Sequence, residues 1–375
     1  MGIGRKTRLL TDESRSDFYS NEAVRRIPIS IFYPTRQEGS SLYKDLYAPR
    51  QEMLVKIYGE GNKDRIRHLE GVATRFINGA APDRDRTCPV IVFSHGLEAD
   101  RDFYLFLIEP LVDEGYIVVT TGHLYDTDVT LLPNGEIVEM KPGLLGESTY
   151  EQRRDQIETR GRDMSFVVDY LKELSEDPEF QGMLDLQKVA LCGHSLGGMT
   201  VLETLDHPLV KAGVMLDAAV SLIDVEKKLE NNEFVDKPVL NMRRYNITYE
   251  GRVRSRIQRL RDKGPQRFQD AILKEHDEVI RDEKGTADLF RYVKGRPENF
   301  ILIKDTVHMT FCDWFALVTD KYLPGLLPLE KAYAIITGAV TAFFRENLLQ
   351  DGEPYKALIR ENREPDIEQE RIRLP

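Results

Sequence analysis

Between Val189 and Met199 the chain reads V-A-L-C-G-H-S-L-G-G-M, an apolar run of β-strand character that breaks on a serine held among three glycines. The run lacks the polar alternation of a half-exposed strand, as expected where both faces are covered. Behind the serine, Met199, Leu202 and Leu205 recur at helical spacing. Gly193-His194-Ser195-Leu196-Gly197 therefore fits G-x-S-x-G at a strand-to-helix turn. The nucleophile at such a turn has a strained backbone, and side chains two positions to either side would collide with it or with neighbouring elements, so both are glycine. The helix N-terminus adds partial positive charge where an oxyanion would develop. The plain alternative is a glycine turn that serves close packing only.

From Pro89 onward, short β-type runs alternate with helical patterns: P-V-I-V-F, Y-I-V-V-T-T, K-V-A-L-C, A-G-V-M-L, K-P-V-L-N-M and N-F-I-L-I-K. That alternation predicts an α/β fold with a mostly parallel central sheet flanked by helices. Met164, Val167, Leu171 and Leu174, and later Tyr333, Ile336, Val340 and Phe344, mark the sheet-facing sides of two such helices. R-R-I-P-I-S-I-F-Y-P at Arg25 to Pro34 alternates as an exposed antiparallel strand would, and Asn134-Gly135 predicts a tight turn between Leu131-Leu132 and Ile137-Val138.

A serine nucleophile needs an imidazole to take its proton, and at a G-x-S-x-G elbow the histidine follows the acid in the chain, beyond the last strand. His308, in the loop D-T-V-H-M-T-F after N-F-I-L-I-K, meets that condition. His68, His95 and His123 precede the serine, His194 is part of the elbow, and His207 and His276 sit at a helix end and in a charged helical run. For the acid, K-P-V-L-N-M ends in Asn241, Met242 and Arg243 without a carboxylate, whereas A-G-V-M-L runs directly into Asp217. Asp217 is the candidate; Asp305 and Asp313, which flank His308, are the alternatives. Two backbone N–H groups would bind the oxyanion, one from Leu196 after the nucleophile and one from Leu97 in S-H-G-L-E-A-D, where Gly96 lets the loop curl.

Hydrophobic residues make up 41% of the 375, enough for one large core, and the net charge of −11 disfavours a nucleic-acid partner. Cys88, Cys192 and Cys312 show no metal-ligand spacing, so neither a structural zinc nor a disulfide framework is expected, and the chemistry requires no cofactor. The N-terminus lacks a signal-peptide core, and the apolar run from Ile335 to Phe344 is too short to span a bilayer, so no integral membrane segment and a cytoplasmic location are expected. Residues 1–350 read as a single domain. A helical cap is expected at about 243–298, because Arg243 to Arg267 carries nine Lys or Arg against two acids between two predicted strands. Arg252, Arg254, Arg256 and Arg259 would meet an anionic substrate or lipid, unless they simply form a solvated face. Residues 351–375 read as a charged tail lying on the surface or disordered.

F-S-H-G-L at Phe93 to Leu97, G-H-S-L-G-G at Gly193 to Gly198, L-D-A at Leu216 to Ala218 and V-H at Val307-His308 resemble the serine-dependent platelet-activating-factor acetylhydrolases and their bacterial esterase relatives. R-I-P-I-S-I-F-Y-P and L-Y-D-T-D-V-T-L-L-P-N-G resemble the bacterial branch, and the likeness covers roughly Arg25 to Leu349. It implies an α/β-hydrolase fold, no metal, an acid after the strand that Asp217 follows, and hydrolysis of short or oxidised acyl esters. Ala219 stands where animal members tend to carry a large aromatic, and the interval from Asp217 to His308 is longer than usual, so phospholipid specificity does not transfer with the motifs. The leading reading is a carboxylic-ester hydrolase acting on a small-molecule ester, and lipids are candidate substrates. A peptidase or amidase on the same triad, and a catalytically silent binding protein, are the alternatives.

Overall fold

Successive residues of the apolar runs feed opposite faces of one sheet, and both faces are buried. Val90 and Val92 pack in a cluster with Met164, Val167, Leu171 and Leu174, whereas Ile91 and Phe93 pack in another with Leu107, Leu111, Ile336 and Val340. The computed structural model describes residues 2–20, 22–50, 52–58, 70–144, 148–245, 265–317, 326–360, 366–370 and 372. In chain order the strands are β1 (Gly2–Asp12), β2 (Arg25–Thr35), β3 (Ser41–Leu42), β4 (Ala73–Thr74), β5 (Phe76–Asn78), β6 (Cys88–Ser94), β7 (Ile117–Thr121), β8 (Val129–Leu131), β9 (Ile137–Glu139), β10 (Leu184–His194), β11 (Val210–Leu216), β12 (Val239–Arg244), β13 (Phe300–Ile303) and β14 (Ile367–Gln369). The helices that matter for the site are α1 (Leu105–Asp113), α2 (Tyr150–Glu176), α3 (Leu196–Thr204), α4 (Pro265–Tyr292) and α5 (Leu329–Phe344).

The main sheet has ten strands in the order β14-β13-β12-β11-β10-β6-β7-β2-β1-β5. The six strands expected from the apolar runs are its contiguous parallel centre, β13 through β7. Antiparallel pairs flank that centre, β7 with β2 on one side and β13 with β14 on the other. Parallel strands need crossovers, and helices supply them on both faces. Helix α2 starts on a capping box in which Thr149 and Gln152 each satisfy the other's backbone N–H. The Asn134-Gly135 turn closes the small β8–β9 hairpin, with Leu131 opposite Ile137 and Gly135 at φ 85°.

One expectation is corrected. The strand at Arg25 to Pro34 is antiparallel but not exposed: all of β2 except Arg26 is buried. Its polar positions have internal partners, Arg25 with Asp17 and Asp163 and Ser30 with Asp102, which is why polar alternation misreads it as solvent-facing. Within the charged tail, Ile367–Gln369 extends the sheet edge, where backbone hydrogen bonds suffice and large apolar side chains are not needed. Between β12 and β13 the described residues include one long helix, α4, whose Gly285 abuts the backbone of Val220. The four cap arginines at 252, 254, 256 and 259 lie outside the described residues. Among the described residues, no helix is long and apolar enough to cross a membrane.

Candidate active site

Strand β10 carries the chain into the sheet's C-terminal edge and stops there. Ser195 follows at φ 56° and ψ −119°, a conformation costly for a residue with a side chain, and α3 begins at Leu196. The turn closes only because its flanks are glycine. A Cβ on Gly193 would lie 2.2 Å from Gly197 O, and one on Gly197 would lie 2.1 Å from Ser94 O. The Ser195 N–H donates to Leu216 O at 2.9 Å, tying the elbow to the neighbouring strand.

Asp217 leaves β11 at φ 41°, and its N–H donates to Met242 O at 2.7 Å. The backbone N–H of Arg244 donates to Asp217 Oδ1 at 3.1 Å, while the Arg244 guanidinium reaches Oδ2 at 2.9 Å. His308 opens the turn after β13; its Nδ1 lies 2.5 Å from Asp217 Oδ2 and its Nε2 lies 2.9 Å from Ser195 Oγ. The structure thus brings together three side chains that are 22 and 91 residues apart in sequence order (217 − 195 and 308 − 217). Burial would raise the Asp217 carboxyl, but the Arg244 charge and the His308 hydrogen bond outweigh it and hold the group well below the usual carboxylate range. A carboxylate acceptor at Nδ1 fixes the imidazole tautomer, with Nδ1–H directed at Asp217 and Nε2 free to accept from Ser195.

The two alternative acids are elsewhere. Asp313 accepts the N–H groups of Leu105 and Phe106 and the Tyr43 hydroxyl, so it holds the start of α1, and burial pushes it up to about 6. Asp305 turns the chain after β13 at φ 50°. His194 packs its ring on that of His308, with centroids 4.6 Å apart, and burial holds it neutral.

The loop after β6 faces Ser195. Gly96 donates its N–H to the Tyr104 hydroxyl at 2.8 Å, and a Cβ there would lie 3.3 Å from Ser195 Cβ. Gly96 and Leu97 line a cavity of about 290 Å³ together with Ser195 and His308. Phe103, Val129, Met309 and Trp314 supply its apolar wall, and Glu98 and Asp128 bring carboxylates. Burial first, then Glu98 nearby, push the Asp128 carboxyl up to about 6. Leu196 is the first residue of α3, directly beneath the elbow.

The sequence matches the family model described as platelet-activating factor acetylhydrolase, isoform II, over residues 15–358. The chain belongs to that family. Its similar relatives include a platelet-activating factor acetylhydrolase of Cavia porcellus, 25% identical over 69% of this chain and 57% of the relative. Another, of Canis lupus familiaris, is 28% identical over 52% of this chain and 50% of the relative. The chain therefore spans about half the length of these curated relatives. Among solved structures, a ferulic acid esterase from Streptomyces cinnamoneus superposes with a TM-score of 0.70 at 22% identity, covering 99% of this chain and 96% of that one, which shows a shared fold.

In this acetylhydrolase-family chain, sequence reasoning missed Arg244, the cation on Asp217, the Tyr104 hydroxyl that accepts from Gly96, and the burial of His95. The signal for Arg244 was present: it ends the strand adjacent to the one that delivers the acid. His95 was visible as the histidine preceding Gly96, but nothing local shows that its ring turns inward.

Proposed function

We propose that this protein is a carboxylic-ester hydrolase acting through an acyl-enzyme, with short-chain acyl esters of platelet-activating-factor type as its substrate class. The observation that carries the reading is the continuous hydrogen-bonded relay Ser195–His308–Asp217 at the wall of the cavity. Ser195 Oγ bonds to the ester carbonyl carbon as His308 Nε2 takes its proton. The resulting oxyanion accepts from the Leu97 and Leu196 N–H groups, and the alcohol leaves with the proton from His308. Water, deprotonated by the same imidazole, then attacks the acyl carbon and releases Ser195. Asp217 stays ionised throughout and stabilises the imidazolium. Family membership and the esterase-like fold support the same chemistry.

The test is pre-steady-state release of p-nitrophenol from p-nitrophenyl esters, acetate through palmitate, alongside a phospholipid with an sn-2 acetyl group. The expected result is a burst on the shortest esters. No release of p-nitrophenol above the uncatalysed rate on any ester would leave the fold as a binding scaffold, and preference for palmitate would overturn the short-chain assignment.

A further inference from the structure

Behind the loop that faces Ser195, two buried histidines are used by none of the steps above. The His95 ring is fully buried, and its Nε2 accepts the backbone N–H of His123 at 3.1 Å. An accepting Nε2 leaves the ring hydrogen on Nδ1, and Nδ1 lies 2.6 Å from the carbonyl oxygen of Gly96. That carbonyl belongs to the same planar amide as the Leu97 N–H, and in a trans peptide the two point in opposite directions. Fixing the oxygen toward His95 therefore aims the hydrogen toward the other side of the loop. Gly96 is tethered a second time, through its own N–H on Tyr104.

The ring is itself braced. His123 Nε2 accepts from Ser94 Oγ at 2.9 Å, and its Nδ1 donates to Asp163 Oδ2 at 3.0 Å. Burial and the adjacent Arg160 guanidinium hold the His95 imidazole neutral. Arg160 Nη2, 3.2 Å from Nδ1, can only donate, and since the backbone N–H of His123 already occupies the acceptor Nε2, the Nδ1 hydrogen goes to the nearer Gly96 oxygen and the Arg160 approach is a charge contact.

We infer that His95 is a positioning residue for the ester hydrolysis: by donating from Nδ1 to the Gly96 carbonyl it orients the Leu97 N–H toward the oxyanion. This rests on the proposed function. Oxyanion bonds strengthen only as negative charge develops, so the loss on removing the orientation falls on kcat and spares KM.

The experiment compares His95→Asn, whose amide nitrogen can replace the Nδ1 donor, with His95→Leu, which has the same bulk and no donor. Activity on p-nitrophenyl acetate is read together with the inhibition constant of an aryl trifluoromethyl ketone, which forms a hemiketal oxyanion on the nucleophilic serine. His95→Leu is expected to lose about 100-fold in kcat with KM within about threefold, and to weaken ketone binding in parallel with kcat/KM. His95→Asn is expected to regain at least about tenfold of that loss. Equal kcat in the two variants, a loss confined to KM, or unchanged ketone affinity would overturn the inference. Should His95→Leu not fold, His95→Ala takes its place under the same criteria. A wild-type protein that hydrolyses no p-nitrophenyl ester above the uncatalysed rate would instead overturn the function itself, so the two failures are distinct.

Discussion

Among the described residues, two Ser–His–Asp chains have nearly the same geometry and differ in their access and surroundings. In Ser195–His308–Asp217 the serine-to-imidazole and imidazole-to-carboxylate distances are 2.9 and 2.5 Å; in Ser94–His123–Asp163 they are 2.9 and 3.0 Å. The first lines a cavity, with the His308 side chain 37% exposed, whereas the His123 and Asp163 side chains are completely inaccessible. Ser195 stands on a strained elbow, while Ser94 is the last residue of the regular strand β6. Burial, reinforced by Arg160, pushes His123 down to about 3, against the pull of Asp163, so it cannot store the proton that a general base must accept. Distances therefore do not define a catalytic triad. Access to a cavity separates the two chains, and the sealed one serves as bracing.

The comparison breaks most visibly at the two serines. Ser195→Ala should abolish the p-nitrophenol burst and lower kcat by about 10⁴-fold or more, whereas Ser94→Ala should stay within about tenfold of wild type. Comparable losses at the two positions would end the distinction. The carboxylates should separate next. Asp217→Asn should cost about 10³- to 10⁴-fold in kcat, through the wrong imidazole tautomer, with little change in thermal midpoint. Asp163→Asn should instead act on folding, since it removes one of the two carboxylates that neutralise fully buried Arg25 and leaves only Asp17, and a loss of about 2 to 3 kcal/mol in denaturant titration is expected.

Acid sensitivity sharpens the contrast further. The folded-state pKa of His123 lies below that of the unfolded chain, so the unfolded state binds the extra proton and stability falls as pH drops from about 6.5 toward 3. Above that window the group contributes no pH dependence. His123→Gln should remove about one proton, or ~1.4 kcal/mol per pH unit, from the slope of unfolding free energy against pH. An unchanged slope would mean that His123 is not held neutral. The smallest effect belongs to Arg244→Leu, which strips the cation from Asp217 but keeps the His308 bond. A loss of about tenfold in kcat/KM without a matching fall in thermal midpoint is expected.

How much of this was legible in the sequence depended on the range of the interaction. The six apolar runs that became β6, β7, β10, β11, β12 and β13 declare themselves through local pattern, as does the glycine-flanked Ser195. Strand β1 does not, because Arg5, Lys6 and Arg8 interrupt its apolar residues; Arg5 is nonetheless buried, neutralised by Asp102 almost a hundred positions away. The same blindness turned β2 into a surface strand and hid the edge strand β14. Arg160 and Asp126, both fully inaccessible and 2.9 Å apart, look like ordinary surface charges in the linear chain.

By itself the sequence determined the layered α/β plan, the elbow at Ser195 and the chain order that singled out Asp217 and His308, since each follows from the period of apolar residues or from the backbone freedom of glycine. Tertiary structure alone decided that Arg244 would clamp the acid, that His95 would grip the Gly96 carbonyl, and that the second Ser–His–Asp chain would be sealed. Those outcomes turn on which charges are withdrawn from water together, and desolvation is a property of the packed fold that no local stretch of sequence encodes.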